Sequence, residues 1–270
     1  MTHRPLIVFA HGNGFPGGTY QPLFKPWEAA GYEVMALDRF GHDPRFPVTG
    51  TWHGLRDQLI QFIDARCQPE RTPVWLVGHS LGGLVSLLAT SKRPDLVRGL
   101  VMLDSPVITG WRAHSVHMLK RSGLLKRVSP GKVAQRRRYH WPDRAAVQAH
   151  FAAKSVFARW HPDALAAYVA AGVQEAPQGG VELAFHRDVE ARIYNTLPHH
   201  LGTVLRRHPV RCPVGFIAGT QSEEMRQGGS TAARALAGER FVRIEGTHLY
   251  PMEKPHETAQ LVLGLLAGMA

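Results

Sequence analysis

The chain has 270 residues, 44% of them hydrophobic and 20% charged, the composition of a folded domain with room for an inserted subdomain and not of a disordered chain. Its two cysteines, Cys67 and Cys212, offer neither metal-type spacing nor a disulfide framework, and no run approaches 18 uninterrupted apolar residues, which excludes a membrane-spanning helix. The formal net charge of +11 is unusual and calls for a local explanation.

The first apolar run, LIVFA (6–10), leads straight into the glycine-rich HGNGFPGG. It lacks the apolar core and cleavage site of a secretion signal, and with the cysteine usage this leads to a cytoplasmic expectation. Further short runs follow: EVMAL (33–37), VWLVG (74–78), GLVML (99–103), VGFIA (214–218) and FVRIE (241–245). Four of the six are almost continuously apolar, as strands buried on both faces of a parallel sheet are. Helix-like segments lie between them. Residues 51–67 place Leu55, Leu59, Phe62 and Ile63 at helical spacing, 80–94 are apolar nearly all round, and 256–269 close the chain. This alternation predicts an α/β fold with a mainly parallel sheet of about six strands and helices on both faces.

The rhythm breaks between GLVML and VGFIA. The roughly 110 residues there show no strand pattern, a stretch too long for one crossover. They read as helices over about 111–121, 132–139, 143–153, 161–172 and 184–195. The expected organisation is a core of 1–108 and 206–270 carrying a helical insertion, 109–205, over one end of the sheet. Residues 111–144 hold ten Lys/Arg against one acid, Asp143. That is a solvated basic face, or a field for an anionic substrate or an anionic membrane surface. AQRRRYHW (134–141) mixes arginine with aromatics as single-strand nucleic-acid binders do, but its place in the insertion disfavours nucleic acid. Trp111, Trp141, Trp160 and Tyr168 read as core of the insertion, or as lining for an apolar acyl pocket. The pairs His114/His117 and His199/His200 lack a cysteine or carboxylate to complete a ligand set, so no metal and no cofactor is expected.

The most informative stretch is VWLVGHSLGGLVSLLA. A buried strand ends at Gly78, then come Gly-His-Ser-Leu-Gly (78–82) and a helix. The pentapeptide alone is weak, but a strand–turn–helix setting is what a nucleophile elbow requires. The turn would lift the Ser80 hydroxyl to a helix N-terminus, where free N–H groups stabilise developing negative charge. A serine hydroxyl needs a base, and His248 in RIEGTHLYPMEKP (243–255) follows the last strand and can supply one.

With these three stretches the chain resembles the α/β-hydrolases. AHGNG matches the family's H-G loop, GHSLGG its nucleophile elbow, and GTHLYPMEKP the segment around its histidine. ALDRFGHDPRF (36–46) resembles the segment that often reads D-x-R-G-H-G, and the long insertion falls where the family carries its cap. The chain begins on the strand before the H-G loop, so the first two strands of the full fold are expected to be absent. The resemblance implies that Ser80 is the nucleophile, His248 the general base, and the backbone N–H groups of Leu81 and Asn13 the oxyanion donors, with His11 and His79 supporting their loops. It also implies an acid three residues past Gly219, where the chain has Ser222. Asp104, at the end of GLVML, is the favoured replacement because it directly follows four apolar residues, and a desolvated carboxylate needs a charged partner. Glu223 is the alternative, and Glu224 a further one. The expected activity is cleavage of an ester or related acyl bond through an acyl-serine. Non-ester chemistry on the same scaffold (C–C hydrolysis, lyase chemistry, cofactor-free peroxidation) is an alternative. So is a binding protein whose site has degenerated, a reading that rests on Ser222.

Overall fold

A computed structural model describes residues 4–67, 72–108 and 131–270. Six strands form one parallel sheet: β1 Leu6–Ala10, β2 Glu33–Ala36, β3 Val74–His79, β4 Val97–Leu103, β8 Val214–Gly219 and β9 Phe241–Ile244, in the order β2-β1-β3-β4-β8-β9. Each coincides with one of the six apolar runs. The strands with the most continuous apolar sequence lie in the middle, where both faces are covered: β3 and β8 are buried at every position.

Successive side chains of a strand point to opposite faces, and two apolar layers result. On one face Val8, Ala10, Leu76, Leu100, Met102 and Phe216 pack with Leu55, Leu59 and Ile63 of α2 (His53–Cys67) and with Leu84, Val85 and Leu88 of α3 (Leu81–Lys92). On the other, Ile7, Phe9, Val77, Val101, Leu103 and Ile217 meet Leu23 and Trp27 of α1 (Gln21–Ala29) and Val262 and Leu266 of the C-terminal helix Pro255–Ala267. Helix α3 is buried from Leu81 to Ser91, which explains its lack of a polar face.

The stretch between β4 and β8 contains α4 (Gly131–Arg136), α5 (Arg144–Ala152), α6 (Pro162–Ala171), α7 (Arg187–Asn195) and α8 (Leu201–Arg207). The expected helix over 111–121, and with it Trp111, His114, His117 and half of the basic segment's Lys and Arg, lies outside the described residues. The stretch also holds strands the sequence did not announce. β5 (His140–Trp141), β7 (Val181–Leu183) and β6 (Val173–Glu175) form a small antiparallel sheet. Runs of two or three residues are too short to display a period of two. The readable signal was Gly179-Gly180, whose positive φ angles of 89° and 72° turn the β6–β7 hairpin. Trp141, Trp160 and Tyr168 are buried with Phe151 and Leu165 in the same apolar layer as α1.

After β8 come α9 (Glu223–Gly228) and α10 (Thr231–Ala237), and after β9 a short α11 (Tyr250–Glu253) and α12 (Pro255–Ala267). Among the described residues, no helix is long and apolar enough to cross a membrane.

Candidate active site

The chain leaves β1 to one side to form β2, then returns to place β3 on the other side. This reversal opens a crevice beyond the C-terminal ends of β1 and β3, the usual ligand position in an open parallel sheet. Five functional candidates sit at such strand ends: Asn13 after β1, Ser80 after β3, Asp104 after β4, Ser222 after β8 and His248 after β9.

Ser80 lies between β3 and α3 with φ 53° and ψ −114°, a conformation a non-glycine residue adopts only when its surroundings enforce it. They do so here by hydrogen bonding and by contact. The Ser80 N–H donates to the Leu103 carbonyl at 2.9 Å, and a Cβ at Gly82 would come 2.0 Å from the Ala10 carbonyl oxygen, so only glycine allows α3 to pass this close to β1. Ser80 and Asp104 (φ 43°) are two of three non-glycine residues at positive φ among the described residues, the third being Trp52.

The Ser80 hydroxyl donates to His248 Nε2 at 2.9 Å, and His248 Nδ1–H donates to Asp104 Oδ2 at 2.7 Å. Asp104 is fully buried and accepts two more bonds: from the Gly219 N–H to Oδ1 at 2.7 Å, and from the Ser222 hydroxyl to Oδ2. Ser222 also accepts the Met225 N–H at 3.1 Å, capping α9. Glu223 points elsewhere. It is exposed, and Arg226 and Gln227 bond its carboxylate and hold its pKa below the usual carboxylate range. Glu224 approaches closer, 3.8 Å from His248 Nδ1. Thus the structure brings Asp104 to the histidine, keeps Glu223 away from it, and leaves Glu224 at its margin. Burial disfavours the charged form of His248. The hydrogen bond and charge of Asp104, with a contribution from Glu224, outweigh that, so its pKa is raised.

The loop carrying His248 is held by Glu253, which accepts the Thr247 N–H at 3.1 Å. His79 extends the support. Its Nε2–H donates to the His248 carbonyl at 2.9 Å, its Nδ1 accepts the Tyr20 hydroxyl at 2.7 Å, and Tyr20 Oη accepts the Gly12 N–H at 3.0 Å. Because a carbonyl can only accept, the partners fix the tautomer. His11 is locked in the same way, with Nδ1–H donating to the Gly12 carbonyl and Nε2 accepting the Phe40 N–H at 2.9 Å. Burial pushes His11 down to about 4 and His79 well below its ordinary value. Both rings are therefore neutral at physiological pH, with both nitrogens occupied by the loops.

Asn13 and Gly14 form a turn closed by the Phe15 N–H on the Gly12 carbonyl at 3.2 Å, with Gly14 at φ 84°. Leu81 is the first residue of α3, where a backbone N–H has no preceding turn to bond to. Two residues from the stretch between β4 and β8 brace the Asn13 turn. The Glu190 carbonyl accepts Asn13 Nδ2–H at 3.1 Å, and the Glu190 carboxylate, buried against Gly14, is paired with Arg137. Burial raises the Glu190 pKa even so, with Arg137 opposing. Neither residue is legible as a site component in the sequence, since they are 53 positions apart and the contact depends on how α4 and α7 pack. Tyr20, at the end of GGTY (17–20), carries no local sequence signal of this role.

The fold is shared with known proteins. Residues 7–261 match the alpha/beta hydrolase family. The chain is similar to monoglyceride lipase of Rattus norvegicus, 29% identical over 133 residues, which are 48% of this chain and 44% of that protein. It is likewise similar to a phospholipase of Bacillus subtilis, 32% identical over 111 residues, 39% and 42% of the two chains. The matched stretch thus spans less than half the length of these curated relatives. Among solved structures, E-2-(acetamidomethylene)succinate hydrolase superposes with a TM-score of 0.75 at 23% identity, covering 97% of this chain and 91% of that one. A peroxisomal α/β-hydrolase of Saccharomyces cerevisiae superposes with 0.74 at 16%, covering 99% and 77%. At these identities the structural likeness speaks for the fold.

Proposed function

Because the chain belongs to the alpha/beta hydrolase family, we propose that it is a serine hydrolase that cleaves an ester or related acyl bond through an acyl-serine intermediate. The observation that carries this reading is the continuous hydrogen-bonded series Ser80–His248–Asp104, with spacings of 2.9 and 2.7 Å. Ser80 Oγ attacks the acyl carbonyl as its proton passes to His248 Nε2. Asp104 keeps the imidazole in the Nδ1–H tautomer and stabilises the imidazolium, without itself taking the proton. The oxyanion is held by the N–H groups of Leu81 and Asn13, which cost no reorganisation because the turn and helix end already fix them. His248 then protonates the leaving alcohol, and a water activated by the same ring releases the acid and regenerates Ser80.

The reading as a binding protein with a degenerate site drew on Ser222 alone. It loses that support, because Ser222 is bonded to a carboxylate that reaches His248. The relatives' names, a monoglyceride lipase and a phospholipase, direct the substrate panel toward glycerolipid esters. The exposed Arg136 and Arg138 add anionic head groups to that panel.

Labelling with a fluorophosphonate probe tests the reading. The intact protein is expected to label at one site and Ser80→Ala not at all. An intact protein that does not label, or a variant that labels equally, overturns it.

A further inference from the structure

We propose that Ser222 is a positioning residue of the active site, setting both the orientation of Asp104 and the proton affinity of His248 by donating its hydroxyl to Oδ2, the oxygen that faces the histidine. The inference rests on the serine-hydrolase reading of the site for its kinetic consequences, but not for its effect on His248 itself.

The argument starts from the bonds on each atom. Oδ2 of Asp104 receives two donors, Ser222 Oγ–H and His248 Nδ1–H, while Oδ1 receives the Gly219 N–H. Ser222 Oγ cannot turn away, because its lone pair accepts the Met225 N–H and the residue is buried. Helix α9 therefore holds the hydroxyl, and the hydroxyl holds the carboxylate. A donor to a carboxylate disperses its charge and lowers its basicity. Sharing Oδ2 makes Ser222 a competitor of His248 for that charge. With Ser222 in place, Asp104 orients the ring without raising its proton affinity as far as an unshared carboxylate would.

Other described residues also face this pair. Glu224, from α9, lies 3.8 Å from His248 Nδ1 and adds negative charge. His79, from β3, has its ring tilted 39° to that of His248 with the centroids 5.0 Å apart, and is neutral. Tyr250, from α11, has its pKa raised well above the ordinary value by burial and donates to the Ile217 carbonyl at 3.0 Å. Ser80, from the turn before α3, faces Nε2. None of these replaces a hydroxyl on Oδ2.

The test is the titration of His248 in the resting protein by NMR, its ring signals assigned by their loss in His248→Ala. Ser222→Ala is expected to raise the His248 pKa by about 0.5 unit or more, roughly a threefold gain in proton affinity, and Ser222→Thr to return it to the parent value. With an ester substrate, the acid limb of kcat/KM should move up with the pKa. Turnover should fall about tenfold at unchanged KM, the pattern for an interaction that acts in the transition state, and Thr should restore it. If Ser222→Ala does not fold for want of its cap, Ser222→Gly carries the same titration, since glycine caps a helix nearly as well as serine. A His248 pKa that does not move in Ala or Gly, or a Thr variant as shifted as they are, overturns the proposal. The titration needs no substrate, so a protein inert toward every ester would count against the hydrolase reading and leave the shift to decide this one.

Discussion

The neighbouring strands β4 and β8 reach the same rim of the sheet and leave it differently. β4 exits through Asp104 at φ 43°, with its carboxylate fully buried among three donors. β8 exits through Thr220, Gln221 and Ser222 into α9, with Glu223 and Glu224 in the helix's first turn and about half exposed. Both exits carry carboxylates, and both lie near His248. What separates them is desolvation. A carboxylate without water must find donors, and an imidazole N–H is one of the strongest available. A carboxylate in a first helical turn is satisfied by solvent, the helix dipole and a neighbouring arginine. The role of acid therefore follows the buried exit, and the exposed exit supplies the serine that holds it.

The sharpest way to break this contrast is Asp104→Asn. It leaves the shape of the β4 exit intact, removes the charge and allows the wrong imidazole tautomer, which costs about 10⁴ in kcat in a serine triad. Ester turnover measured on matched amounts of folded protein checks it. A loss below about tenfold would return the acid's role to the β8 exit. Glu224→Gln has a smaller effect of a different kind. Its charge raises the His248 pKa, so its removal lowers that pKa. Neutral His248 is the active base, so the acid limb of kcat/KM moves to lower pH while the plateau stays within about threefold. A pH–rate profile decides it, and a shift to higher pH would mean that Glu224 does not face the ring as the structure has it. Glu224→Gln and Ser222→Ala thus push the same limb in opposite directions.

Much of this site could be read in the sequence because it sits where strands end. The six apolar runs mark β1, β2, β3, β4, β8 and β9, and the motifs lie at their exits. Asp104 stands out because four apolar residues lead directly into it. Ser222 was legible only as an anomaly. Its bond to Asp104 joins positions 118 apart, and it depends on the register Leu103↔Ile217 between β4 and β8, which no local pattern encodes. The Glu190–Arg137 brace was silent for the same reason, as was the β5–β7 sheet, whose strands are shorter than a period can reveal. Local propensity places the elements, while contacts between distant elements decide which polar groups lose water and so need each other.

The smallest expected effect makes the most exacting test of the contrast. Glu223 is one residue from Ser222, in the position a one-residue loop shift would bring to the histidine, and it was the local alternative for the acid. In the structure its carboxylate is committed to Arg226 and Gln227 on the surface, and an exposed pair of that kind is worth little because solvent screens it. Glu223→Gln should therefore leave kcat and KM within twofold and the acid limb unmoved, measured beside Asp104→Asn on the same substrate. Nearness in sequence to the vacant acid position would predict a loss comparable with that of Asp104→Asn, and nearness in space predicts none. A tenfold fall in turnover for Glu223→Gln would mean that α9 rotates during catalysis to deliver this carboxylate. The exposed exit would then be the working one, and the bond between Ser222 and Asp104 would belong only to the resting protein.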